Sequence, residues 1–142
     1  MPEEATGRGA LTLREEWIAS VAVAVAVLGV FLTWTSVGSE RLDGTQGPNN
    51  GWLVVIVGAF ALGWIRSLAR GSWIGVVGVL GASVVLMWTA LQNLLDNRDT
   101  LEGTPGLGMI LVLVGAAALG ASAVLRGVRR VRDGARRPSA TA

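Results

Sequence analysis

Four stretches with no charged residue limit what this chain can fold into: Trp17 to about Ser39, Trp52 to about Ile65, Gly71 to about Leu95, and about Leu107 to Leu125. Only 15% of the 142 residues are charged and 51% are hydrophobic, whereas an ordinary soluble domain carries about a quarter charged residues. A chain of this size builds one modest core, too small to shelter four such runs from water. About 20 apolar residues in a helix match a hydrocarbon layer of about 30 Å. The alternation Val21-Ala22-Val23-Ala24-Val25 would suggest a strand in a soluble protein. In lipid a lone strand leaves its backbone unpaired, so a helix is expected instead.

The intervening segments carry the turn formers and charges. The first outer loop, near 39–51, includes Asp43-Gly44 and Gly47-Pro48-Asn49-Asn50-Gly51. The second, near 96–106, contains Pro105 between Thr104 and Gly106. The link from Arg66 to Ser72 is short and basic, which makes its two flanking spans an antiparallel pair. All 12 basic residues are Arg. Ten of them (Arg8, Arg14, Arg66, Arg70, Arg126, Arg129, Arg130, Arg132, Arg136 and Arg137) fall on one side, leaving Arg41 and Arg98 on the other. The arginine-rich side is the cytoplasmic one by the positive-inside rule. A cleaved signal peptide is the rival reading of the first run. Its leading segment carries Glu3, Glu4, Glu15 and Glu16 against two Arg, the wrong sign, so the span is expected to stay.

These features predict an all-α membrane protein, a bundle of four transmembrane helices. Residues 1–16 form a cytoplasmic N-terminal segment, 17–71 and 72–127 two hairpins, and 128–142 a cytoplasmic Arg-rich tail. Residues 1 to about 10 and the tail after Val131 are expected to be mobile. The hairpins match one another in order: Trp17-Ile18 with Trp73-Ile74, Trp34-Thr35 with Trp88-Thr89, Val57 to Gly63 with Val114 to Gly120, and Arg70-Gly71 with Arg126-Gly127. Each unit holds two spans, so a duplication gives parallel repeats related by an axis along the membrane normal.

Trp17, Trp34, Trp52, Trp73 and Trp88 are expected at headgroup depth, where an indole keeps its ring apolar and its N–H wet. Ligand stacking between Trp34 and Trp88 is the sharper alternative. The pairs Ala59/Gly63, Gly71/Gly75, Gly78/Ala82 and Ala116/Gly120, like Ala22/Ala26, place small residues one turn apart. Such spacing lets helix backbones approach where lipid offers no hydrophobic incentive to associate. Arg126, Arg129, Arg130 and Arg132 suit anionic headgroups, or alternatively a cytoplasmic protein contact.

The chain has no Cys and no His. Disulfides, thiolate or imidazole metal ligands and His-dependent catalysis are therefore excluded. No ionisable residue interrupts a span, as proton-coupled transport would require. Ser20, Thr33, Thr35, Ser36, Ser83, Thr89 and Ser122 can bond to nearby carbonyls. Asp96, Asp99 and Glu102 lack calcium-loop spacing and read as a solvated loop. No catalytic, cofactor-binding or metal site is expected, and no nucleic-acid partner.

The exit Trp34-Thr35-Ser36-Val37-Gly38, the polar loop after it and Gly51-Trp52-Leu53 resemble the uncharacterised four-span membrane proteins of high-GC actinobacteria, and Arg without Lys suits that origin. The resemblance implies a bacterial plasma membrane and no activity. The expected function is that of a non-catalytic accessory or scaffolding subunit, packed laterally against a larger membrane complex or copies of itself. The alternative is a small channel or transport component whose path forms between subunits.

Overall fold

The computed structural model describes residues 3–37, 39–45, 51–70, 72–99 and 103–135; the side chains of 3–15, 37, 97–99, 103 and 104 are outside the description. In chain order the elements are helix α1 (Glu3–Val30), strands β1 (Thr33–Val37) and β2 (Glu40–Asp43), helices α2 (Gly51–Ala69) and α3 (Trp73–Asp99), strand β3 (Gly103–Pro105) and helix α4 (Leu107–Ala135). The chain is mostly helical. Helices α2, α3 and α4 are each long and apolar enough to cross a membrane, while the apolar part of α1, Glu16–Val30, is shorter.

The helices form a ring, with α1 and α3 each packed on both α2 and α4. Neighbours run antiparallel: Leu68 meets Gly75 and Trp64 meets Gly78 across α2 and α3, while Gly29 meets Gly108 and Ala26 meets Gly115 across α1 and α4. The inward residues of α2, Gly51, Val54, Gly58, Ala61, Ile65 and Leu68, recur at alternating steps of three and four. That is the seam of a left-handed helix pair. Most core side chains are Ala or Val, among them Ala19, Val23, Val79, Val112 and Ala123, so the axes come close.

The approach is tightest between α1 and α4. A Cβ added at Gly29 would lie 2.6 Å from the Gly108 carbonyl oxygen, and one added at Gly108 would collide with the Gly29 oxygen. Each glycine thus makes room for the other's backbone. Dispersion across such a seam is what holds helices together in lipid.

Several sequence expectations need correction. The first apolar run is not one helix to Ser39: α1 ends at Val30 and Thr33–Val37 is a strand. A lone strand was ruled out by its unpaired backbone, but β1 is not alone. It lies at the centre of a three-stranded antiparallel sheet of order β2-β1-β3. Thr35, Ser36 and Val37 pair with Leu42, Arg41 and Glu40 on one edge and with Pro105, Thr104 and Gly103 on the other. Both outer loops therefore contribute strands, and α3 runs on to Asp99. Pro105 sits in an edge strand, where its missing donor is tolerated. At the other end of the bundle, α1 already starts at Glu3 and α4 continues to Ala135. Of the expected mobile ends, residues 3 to about 10 and 132–135 are helical; residues 1, 2 and 136–142 lie outside the described part. Charge marks the edge of lipid, and helix propensity carries the backbone past it.

The seam yields a test. Gly108→Leu should lower the unfolding midpoint in detergent by the equivalent of about 1–3 kcal/mol, the usual cost of overpacking. Gly81→Leu, whose added Cβ meets nothing within 4 Å, should leave it nearly unchanged.

Candidate functional site

The polar side chains inside the bundle are satisfied within the chain. Ser83 Oγ donates across the α3–α4 interface to the Ala116 carbonyl (2.8 Å). Thr89 Oγ1 donates to Val85 O (2.9 Å) and Asn93 Nδ2 to Thr89 O (2.8 Å), one turn back on α3. Ser122 Oγ donates to Leu119 O (2.7 Å). Among the described residues no buried side-chain nitrogen or oxygen lacks a partner. Such bonds tie these side chains to helix carbonyls.

One end of the bundle is closed by the sheet and Trp34. The last carbonyls of α1 are each engaged: Leu28 O by Phe31 N (3.1 Å), Gly29 O by Leu32 N (3.3 Å), and Val30 O by Gly44 N (2.8 Å). Gly29 O also accepts from the Trp34 indole Nε1 (2.8 Å). The Gly106 N–H donates to Trp34 O (2.7 Å), tying the approach to α4 to β1. Gly44 lies flat on the indole, since a Cβ there would be 2.6 Å from its Cε2. Asp43 Oδ1 accepts from Thr45 N (2.8 Å) and Thr45 Oγ1 (2.6 Å), which fixes the turn leading out of β2.

The arginines gather at the opposite end. Arg126 donates from Nη2 to Ala69 O (2.8 Å), so α4 caps the C-terminus of α2 where the helix dipole favours a cation. The Arg130 guanidinium lies 5.7 Å from the centroid of the Trp73 ring, within the range of a cation–π contact. Three grooves open on the outside of the bundle. A groove of about 650 Å³ runs between α3 and α4 beside Trp73 and Arg132. One of about 330 Å³ lies between α1 and α4. One of about 470 Å³ between α1 and α2 is lined by Glu16, Ser20, Gly63 and Arg66.

The expected site residues separate into two groups. Trp17, Trp52, Trp73 and Trp88 are exposed on the bundle surface. Trp34 is no surface anchor: it is 0% exposed while its sequence counterpart Trp88 is 63% exposed. The symmetric pair imagined at an outer mouth therefore does not form. Among the small residues, Gly75 abuts the Leu68 backbone, Gly78 the Trp64 ring and Gly120 the Ser83 hydroxyl, and Ala116 is buried. Ala82 packs against the core. Ala59 and Gly63 face outward, and a Cβ at Gly63 would meet nothing within 4 Å. Gly71 lies outside the described residues. Arg129 is exposed, as is Arg132. Gly29, Gly44, Gly108 and Gly115 were not singled out from the sequence, although Gly29 extends the Ala22/Ala26 row by another turn.

No protein-family model, curated protein or solved structure matches this chain. The residues themselves must carry any functional reading.

The unequal burial of the two tryptophans gives a second test. Trp34→Ala should cost about 3–5 kcal/mol and speed amide exchange in β3 and Gly106. Trp88→Ala should stay within about 0.5 kcal/mol, the range of ordinary surface changes. Denaturation in detergent with hydrogen-exchange mass spectrometry reads both.

Proposed function

We propose that the chain is a four-span protein of a bacterial plasma membrane, with both termini cytoplasmic, and that it serves as a non-catalytic accessory or scaffolding subunit. Support for a fourth span comes from α1 packing lengthwise on α2 and α4, which draws it into the same slab as its neighbours. The Arg-rich end then faces the cytoplasm and the sheet faces outward. The ring arrangement, in which a half-turn carries α1 and α2 onto α3 and α4, is compatible with duplicated hairpins. The resemblance to four-span actinobacterial proteins points to the same setting.

One observation carries the scaffolding reading. Of the small-residue pairs that the sequence spaces one turn apart, Ala59 and Gly63 stay open on the outer face of α2, whereas Gly78 and Gly120 pack against Trp64 and Ser83. An open small-residue face lets a neighbouring helix backbone approach. The interior, by contrast, is filled with hydrogen-bonded polar groups and small apolar side chains. A second reading, a transport component completed between subunits, has the α1–α2 groove in its favour, because Glu16, Ser20 and Arg66 line it together with Gly63.

Co-purification in mild detergent separates the readings. A subunit should bring down a partner, or further copies of itself, at fixed stoichiometry. Gly63→Leu should abolish that while leaving the unfolding midpoint unchanged, because among the described residues an added Cβ here meets nothing within 4 Å. Gly120→Leu is a poorer probe, since its side chain would strike Ser83 inside the bundle. A monomeric, partnerless protein overturns the scaffolding reading. Solute flux on reconstitution of the isolated chain would favour transport.

A further inference from the structure

The groove between α3 and α4 has a chemistry that the scaffolding role does not use. Its walls are Trp73, Val76 and Leu80 from α3 and Val124, Val128 and Val131 from α4. The three valines recur at steps of four and three, so they form one face of α4. All three are more than half solvent-exposed or close to it, at 50%, 60% and 59%. Between the levels of Ala123 and Ala135, both lining residues, the groove follows α4 for about 18 Å. Two cations stand at its Arg-rich end. Arg132 lines the groove, and the Arg130 guanidinium lies 5.7 Å from the centroid of the Trp73 ring, which lines the groove from α3. A guanidinium drawn to a ring by its charge keeps N–H donors for phosphate oxygens. Nearby, Arg126 and Arg129 add positive charge to this stretch of α4, against Asp133 on the same helix and Glu16 of α1.

We propose that this groove binds one anionic phospholipid, with an acyl chain along the valine face and the phosphate held by Arg132 and Arg130. Charge decides the ligand: an apolar trough about as long as the hydrocarbon of one leaflet is thick, ending in two arginines at headgroup level, complements a lipid with net negative charge better than a zwitterionic one. A second protein helix would bury the valines equally well but would have to bring carboxylates to both guanidinium groups. The site differs from a diffuse polybasic attraction in needing these two arginines and not simply positive charge. It rests on the membrane setting alone and not on the accessory-subunit role.

The test uses the purified full chain in detergent mixed micelles containing phosphatidylglycerol and phosphatidylcholine of identical acyl chains, with retained lipid counted by native mass spectrometry. The wild type should keep one phosphatidylglycerol per chain in preference to phosphatidylcholine. The double variant Arg130→Gln/Arg132→Gln should lose that preference by roughly tenfold or more. Val128→Trp, which fills the trough from an exposed position, should lower retention of both lipids. Arg136→Gln/Arg137→Gln removes equal charge from the tail and should change nothing. The proposal falls if the wild type does not discriminate between the lipids, or if the Arg136/Arg137 variant loses as much as the Arg130/Arg132 variant. It falls too if Val128→Trp keeps its lipid but alters the oligomeric state, which would make the trough a protein contact. Co-purification of a partner is read independently of lipid retention, so failure of one idea leaves the other standing.

Discussion

Hydrocarbon supplies no hydrogen bonds, and this one constraint organises the molecule. Every backbone N–H and C=O within it must find a partner in the chain itself. Within α2, α3 and α4 the helical ladder does so automatically. The same accounting holds for backbone buried within the protein where α1 stops at Val30, with carbonyls and an extended segment still to satisfy. The structure answers with β2 and β3 on the two edges of β1, and with the indole of Trp34 and the N–H of Gly44 on the last carbonyls of α1. Strand and plug are one arrangement, since the buried indole that bonds back to α1 belongs to β1 itself.

Packing follows from a second property of lipid, which rewards contact between helices only through closeness. The reciprocal glycines 29 and 108 bring the first and last helices together, and Ala22, Ala26 and Gly115 continue that seam. Ser83 adds a polar link between α3 and α4. Bonds of this kind contribute about 0.6 kcal/mol on average in membrane proteins, so the close seams matter more to cohesion than the polar contacts do.

The membrane-crossing helices were legible because hydrocarbon thickness imposes a length and forbids charge, and both are visible along the chain. Small-residue spacing located Ala22, Ala26, Gly75 and Ala116 on packed faces for the same reason. The sheet was not legible. Thr33 to Val37 is as uncharged as the helix before it, and the strand that completes its pairing lies beyond two further helices. Trp34-Thr35 and Trp88-Thr89 read alike, yet one is extended and buried while the other stays helical. That difference comes from long-range partners, which a local motif does not contain. The helical continuation of α4 past Arg126 was hidden because a charge announces the water boundary and says nothing of backbone conformation.

The central position of β1 has a consequence for how the protein is made. Its first edge is covered as soon as β2 emerges, a few residues later. The second edge stays bare until Gly103–Pro105 has been synthesised, by which time α2 and α3 have followed. Through that interval the nascent chain presents an open strand edge, able to accept any extended segment nearby. The amino-terminal half therefore reaches its finished form only late in translation, when the carboxy-terminal half arrives to close it.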